Sequence, residues 1–186
     1  SNKPFIHLVG ESVGGTIISW GDYSGKVVNG VTIGTSTSST LTVNANDFLM
    51  LNVTVENTTG YVGDGPQALA ISLNGDRNVV KNCRFISGQD TVLANQAGKR
   101  QYFKNCYIDG NTDFIFGNSI AVFDSCVIFP RDRVDGSSGG YVTAANTPAG
   151  QTYGYVFRDC KLTKNRGTTF YTLGRPWQND AGTADA

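Results

Sequence analysis

Apolar and polar positions repeat in a decamer that the chain writes five times: FLMLNVTVEN from Phe48, NVVKNCRFIS from Asn78, QYFKNCYIDG from Gln101, AVFDSCVIFP from Ala121 and YVFRDCKLTK from Tyr155. The sixth position reads Val53, Cys83, Cys106, Cys126 and Cys160. The position before it reads Asn52, Asn82, Asn105, Ser125 and Asp159. Apolar residues recur two before and two after, as Phe103 and Ile108 do in the third copy, which is the period of a strand. The copies are offset by 30, 23, 20 and 34 residues, so no blade or helical repeat of fixed length fits. Short strands joined by turns of variable length suit a parallel β-helix, with each copy one rung and rungs about 4.8 Å apart. Stacking then makes an inward Val/Cys column and, beside it, a column of Asn, Ser and Asp. An antiparallel sandwich is the competing all-β reading.

Composition narrows the picture. The 186 residues with 39% apolar content support one domain with a core, and the 15 basic residues balance 15 acidic ones, which gives no support to a nucleic-acid or anionic membrane partner. Charged residues reach only 16% while Gly numbers 23, a balance that favours turns and polar ladders. Apolar runs such as FLMLNVTV are far shorter than the roughly 20 residues of a membrane-spanning helix. The four cysteines lack paired spacing and His7 is the only histidine, so a zinc site is not expected. They read as a buried thiol column in which a Cys106–Cys126 bridge between adjacent rungs is left open.

Two carboxylates fall at one offset from that column. Asp90 in GQDTV lies seven residues after Cys83, and Asp113 in NTDFIFGN lies seven after Cys106. In register, they sit side by side on adjacent rungs, where like charges push one pKa up and leave a proton donor next to a base or nucleophile. Turn aspartates are the bland alternative. Against it stand the apolar FIF after Asp113 and two amides, Gln89 beside Asp90 and Gln67 in GPQALAI, of the kind an oxyanion requires. Arg175 and Trp177 in TLGRPW add a carboxylate clamp and a flat face for a sugar ring.

GPQALAI, GQDTV, NTDFIFGN and LGRPW, in this chain order and with QYFKNCYIDG between GQDTV and NTDFIFGN, closely resemble the pectin methylesterase family. The resemblance runs from IHLVGES to LGRPW. It implies a right-handed, single-stranded parallel β-helix that hydrolyses methyl esters of galacturonate units in pectin, with neither metal nor cofactor, as a monomer outside the cell or in a periplasm. It makes Asp113 the nucleophile and Asp90 the general acid that later serves as base. Gln89 and Gln67 become oxyanion donors, Arg175 the partner of Asp113, and Trp177, Phe116 and Thr40 substrate contacts. Two positions depart from the family pattern: Leu93 replaces a Tyr and Thr112 a Val, which bears on subsite preference. The family fold has further rungs on both sides, so residues 1–186 are expected to be a single β-helix domain cut short at both ends.

Three other readings are weighed beside it. GESVG, Gly10 to Gly14, fits the nucleophile-elbow pattern of serine hydrolases, but TIISW after it reads as a strand and His7 precedes it, so Ser12 is expected in a turn between early rungs. A polygalacturonase-like glycosidase and a non-catalytic pectin-binding β-helix are the alternatives on the same scaffold. NVT at Asn52 and NTT at Asn57 are glycosylation sequons, relevant only on a eukaryotic secretory route.

Overall fold

The computed structural model describes residues 3–61, 65–132, 139–164 and 170–177. Among these residues, three parallel sheets of six strands each wrap around one core. The first sheet carries His7–Val9, Leu49–Leu51, Asn78–Lys81, Arg100–Lys104, Ile120–Asp124 and Tyr155–Arg158. The second carries Ile17–Trp20, Thr54–Asn57, Arg84–Ile86, Tyr107–Gly110, Val127–Pro130 and Lys161–Leu162, and the third Leu41–Val43, Ile71–Leu73, Val92–Ala94, Ile115–Gly117, Tyr141–Ala145 and Thr172–Pro176. One strand from each makes a rung of a parallel β-helix, and an antiparallel hairpin, Val27–Val28 with Val31–Thr32, is inserted in the first.

The polar column of the decamer is a column of backbone bends. Asn52, Asn82, Asn105, Ser125 and Asp159 all take φ between 52° and 57°, the left-handed region that Asn tolerates best among residues with a Cβ. Each turns the chain from the first sheet into the second within two residues. The amides also stack, Asn82 Nδ2 donating to Asn52 Oδ1 and Asn105 Nδ2 to Asn82 Oδ1, both at 3.4 Å. A first rung escapes the decamer because Gly10 stands in this column, where a Cβ would lie 2.3 Å from the Asn52 carbonyl oxygen. Its turn then runs through Ser12 before Ile17 enters the second sheet. Ser12 is exposed, and Gly15 N–H donates to both its carbonyl and its hydroxyl oxygen.

Inside, the register stacks like on like. Met50, Val80, Phe103 and Phe123 form one fully buried column, and Val55, Phe85, Ile108 and Ile128 another. The rings of Phe103 and Phe123 lie 4.7 Å apart and 12° from parallel, Phe123 and Phe157 repeat that stack, and Phe85 meets Phe103 edge-on. Each such ring removes roughly 2–3 kcal/mol worth of apolar surface from water. Cys83, Cys106 and Cys126 continue the Val53 column as buried free thiols, with Cys106 N–H donating to Cys126 Sγ at 3.4 Å. The bridge left open by the sequence is therefore absent, and both members are thiols.

A second asparagine ladder lies at the far edge of the third sheet. Asn44, Asn74 and Asn95 follow in-register residues of that sheet, with Asn74 Nδ2 donating to Asn44 Oδ1 at 2.7 Å and Asn95 Nδ2 to Asn74 Oδ1 at 2.8 Å. The two sequon asparagines differ in surroundings: Asn52 is half-buried at its bend. Asn57 is fully buried, its amide nitrogen donating to the carbonyls of Asp22, Ser38 and Leu69. At the other, the Thr54 hydroxyl is committed to Val13 O at 2.6 Å.

Candidate active site

The chain enters the third sheet through a second set of bends, and two of them carry the aspartates. Val92 pairs with Ile115 and Leu93 with Phe116, so Asp90 and Asp113 occupy equivalent positions on adjacent rungs. Asp90 N–H donates to Thr112 O at 3.0 Å, and Gln89 and Thr112 form a parallel bridge. The offset seen in the sequence survives because nothing is inserted between the second and third sheets of these two rungs. Both carboxylates are nearly buried, at 6% and 5% exposure, yet both line a cleft of about 410 Å³ on the outer face of the third sheet.

Arg175 reaches this pair from two rungs away. It shares an outward column with Ala144 and Phe116, and the small Ala144 leaves room for a long side chain to pass. Its Nε donates to Asp113 Oδ1 at 2.9 Å and its Nη2 to Asp113 Oδ2 at 2.6 Å, a bidentate fork. The guanidinium carbon lies 5.6 Å from the centre of the Tyr141 ring, which flanks the fork. The Asp113 hydrogen bonds raise the pKa of Arg175 further.

Among the described residues, Asp90 has no such cation of its own. Burial, and then the charge of Asp113, push its pKa up to about 8, with Arg175 pulling weakly the other way. At neutral pH it is a buried, protonated carboxylic acid beside a carboxylate held in an arginine fork. One group donates a proton and the other presents a lone pair, the asymmetry that paired-carboxylate catalysis needs.

Gln67 and Gln89, on successive rungs, line the same cleft as the two aspartates. Phe116 and Trp177 form its apolar wall with ring centres 5.7 Å apart, joined by Leu69, Leu93 and Ala144 in one small cluster. Thr40 is the exception among the sequence candidates. It lies outside the cleft lining, and its hydroxyl donates to Glu56 O at 2.9 Å. Thr35 and Ser36, from the 3-10 turn Thr35–Thr37 just upstream, line the cleft in its place, together with Asn95 of the second ladder. No motif or period marks Thr35 and Ser36, and Asn95 becomes legible only once the ladder is traced.

Comparison with known proteins bears on the same chemistry. The pectinesterase family model matches residues 1–184. Pectinesterase 31 of Arabidopsis thaliana is 38% identical over 181 residues, which cover 94% of this chain and 54% of that protein. Among solved structures, pectin methylesterase from Yersinia enterocolitica superposes with a TM-score of 0.85 at 34% identity, covering 95% of this chain and 67% of that one. A pectin methylesterase in complex with a hexasaccharide gives 0.83 at 33% identity, covering 92% and 56%. The chain thus spans about half the length of Pectinesterase 31.

Proposed function

The chain belongs to the pectinesterase family, and on that premise we propose that it hydrolyses methyl esters of galacturonate units in pectin, yielding methanol and the free carboxylate. The observation that carries this reading is the Arg175–Asp113 fork set beside the protonated, buried Asp90.

In the proposed reaction, an Asp113 carboxylate oxygen attacks the ester carbonyl carbon. The oxyanion accepts hydrogen bonds from the Gln67 and Gln89 amides, donors held in place before charge develops. Asp90 gives its proton to the departing methoxide, releasing methanol and leaving an anhydride between Asp113 and the galacturonate. Asp90, now a carboxylate, takes a proton from water, whose oxygen attacks the galacturonyl carbon and frees Asp113. Arg175 compensates the charge of Asp113 before attack and after release. Phe116 and Trp177 supply the apolar wall against which a sugar ring packs. The substrate implies that the protein acts outside the cell or in a periplasm, and the proposed working unit is a monomer.

Methanol release from highly methylated pectin tests the proposal, with Asp113→Asn as control and viscosity followed in parallel. Methanol produced at constant viscosity, and lost in the variant, is the expected result. Falling viscosity without methanol identifies a glycosidase instead, and binding with neither points to a pectin-binding β-helix. Adjacent-rung placement of the carboxylates beside two amides favours the esterase, because an inverting glycosidase holds its carboxylates about 6.5–9.5 Å apart with water between them.

A further inference from the structure

Behind the two aspartate bends lies a third buried carboxylate that does not face the cleft. Asp109 is 5% exposed and sits on the strand Tyr107–Gly110. Its Oδ1 accepts Ser87 N–H at 3.3 Å, and its Oδ2 accepts Arg131 Nη2 at 2.8 Å and the Tyr107 hydroxyl at 3.4 Å. Its carbonyl oxygen accepts the Thr91 hydroxyl at 2.7 Å. Ser87 and Thr91 are the two ends of the bend that presents Gln89 and Asp90, so one residue grips that bend on both sides. Asn111 N–H closes the grip on Gly88 O at 3.0 Å.

Arg131 extends the contact in the other direction. Its N–H donates to Gly110 O at 2.7 Å, and its carbonyl accepts the Tyr171 hydroxyl. Tyr171 immediately precedes the strand Thr172–Pro176, which carries Arg175. Arg131 therefore stands between the backbone that holds Gln89 and Asp90, which it reaches through the guanidinium–Asp109 ion pair, and the backbone that holds the partner of Asp113, which it reaches through its main chain. Burying an ion pair is costly in stability, and apolar residues of similar size often serve a core as well or better. A geometric role accounts for its presence here.

We propose that Asp109 and Arg131 form a positioning pair, which fixes the Ser87–Thr91 bend so that Gln89 and Asp90 converge on the carbonyl group attacked by Asp113. The proposal rests on the ester-hydrolysis reading of the site, but it concerns the bend itself and is measurable apart from turnover.

The test uses Asp109→Ala, Asp109→Asn and Arg131→Lys in the otherwise unchanged protein. It reads kcat and KM for methanol release, the folded fraction, and the titration of the Asp90 carboxyl followed by carbon NMR. For folded Asp109→Ala, kcat is expected to fall about tenfold with KM within about twofold, as misplacement of a reacting group demands. Asp90 should also titrate lower, as the loosened bend admits water. Asp109→Asn keeps an acceptor for Ser87 and should lose less, while Arg131→Lys keeps a cation and should retain most of kcat. A folded Asp109→Ala with wild-type kcat and an unmoved Asp90 titration overturns the proposal, as does a kcat loss that only tracks the unfolded fraction. Should the wild type release no methanol, the activity reading falls, and the Asp90 titration alone decides for or against the positioning pair. If Asp109→Ala does not fold, the other two variants carry the same readouts.

Discussion

Asp90 and Asp113 share one register position on adjacent rungs and one unusual backbone state, with φ of 66° and 49°. The left-handed bend turns each side chain out of the wall of the β-helix and into the cleft just as the chain enters the third sheet. Residues with a Cβ pay about 1–2 kcal/mol for this conformation, and Asp and Asn visit it most readily. The residue type is thus selected twice at each position, once for a carboxyl group and once for a bend.

That double selection separates two variants of Asp113, the proposed nucleophile. Asp113→Asn and Asp113→Ala should both lower methanol release by about 10³-fold or more. Asn keeps the bend, so Asp113→Ala should be the less stable of the two by about 1 kcal/mol in urea unfolding. Equal stability would show that the bend does not depend on the residue type.

The raised pKa of Asp90 sets two pH dependences of known sign. A general acid must carry its proton, so kcat should decline as pH rises through about 8. Between the ordinary carboxylate range and that value, the native state holds a proton that the unfolded chain has released, so wild-type stability falls as pH rises over this window. Asp90→Asn removes the group that titrates. It should be inactive, and more stable than wild type by several kcal/mol at about pH 8, with little difference at about pH 4.

Replacing either amide should slow the reaction without emptying the cleft. Gln67→Ala and Gln89→Ala are each expected to lower kcat by about 10²–10³-fold while KM changes little, because the lost hydrogen bond belongs to the oxyanion and not to the bound ester. A change confined to KM would move these residues from the transition state to substrate binding.

The aromatic stack supplies a stability prediction away from the chemistry. Phe103 lies between Phe85 and Phe123 with no exposed surface. Phe103→Ala should cost about 3–5 kcal/mol, read as a lower midpoint of denaturation. Phe103→Leu should cost less, since it leaves a smaller cavity in the same column.

The decamer made five of the rungs legible because their strands repeat an apolar pattern around a bend residue whose backbone state demands Asn, Ser or Asp. It also placed Asp90 and Asp113, because their rungs run from the first sheet to the third without an insertion. The first rung stayed hidden behind Gly10 and a long turn. Arg175 is beyond such counting. Tyr107 pairs with Val127 but Ile115 with Thr143, so eight additional residues separate the second and third sheets of the next rung, and the periodic offset is lost before the arginine is reached. Its place came from the LGRPW motif and not from spacing. Thr40 lies outside the cleft lining for a related reason: a 3-10 turn, which no strand period reveals, carries the cleft-lining Thr35 and Ser36 ahead of it.

The separation of Asp90 and Asp113 along the β-helix is set by main-chain hydrogen bonding, through contacts such as Asp90 N–H to Thr112 O, and not by how neighbouring side chains happen to fit. Such a ruler is the same whatever the sequence that forms it. Side chains in the core can drift, and turns can lengthen, while the carboxyl groups stay one rung apart, so a scaffold of this kind can change its surface and its preferences without recalibrating its chemistry.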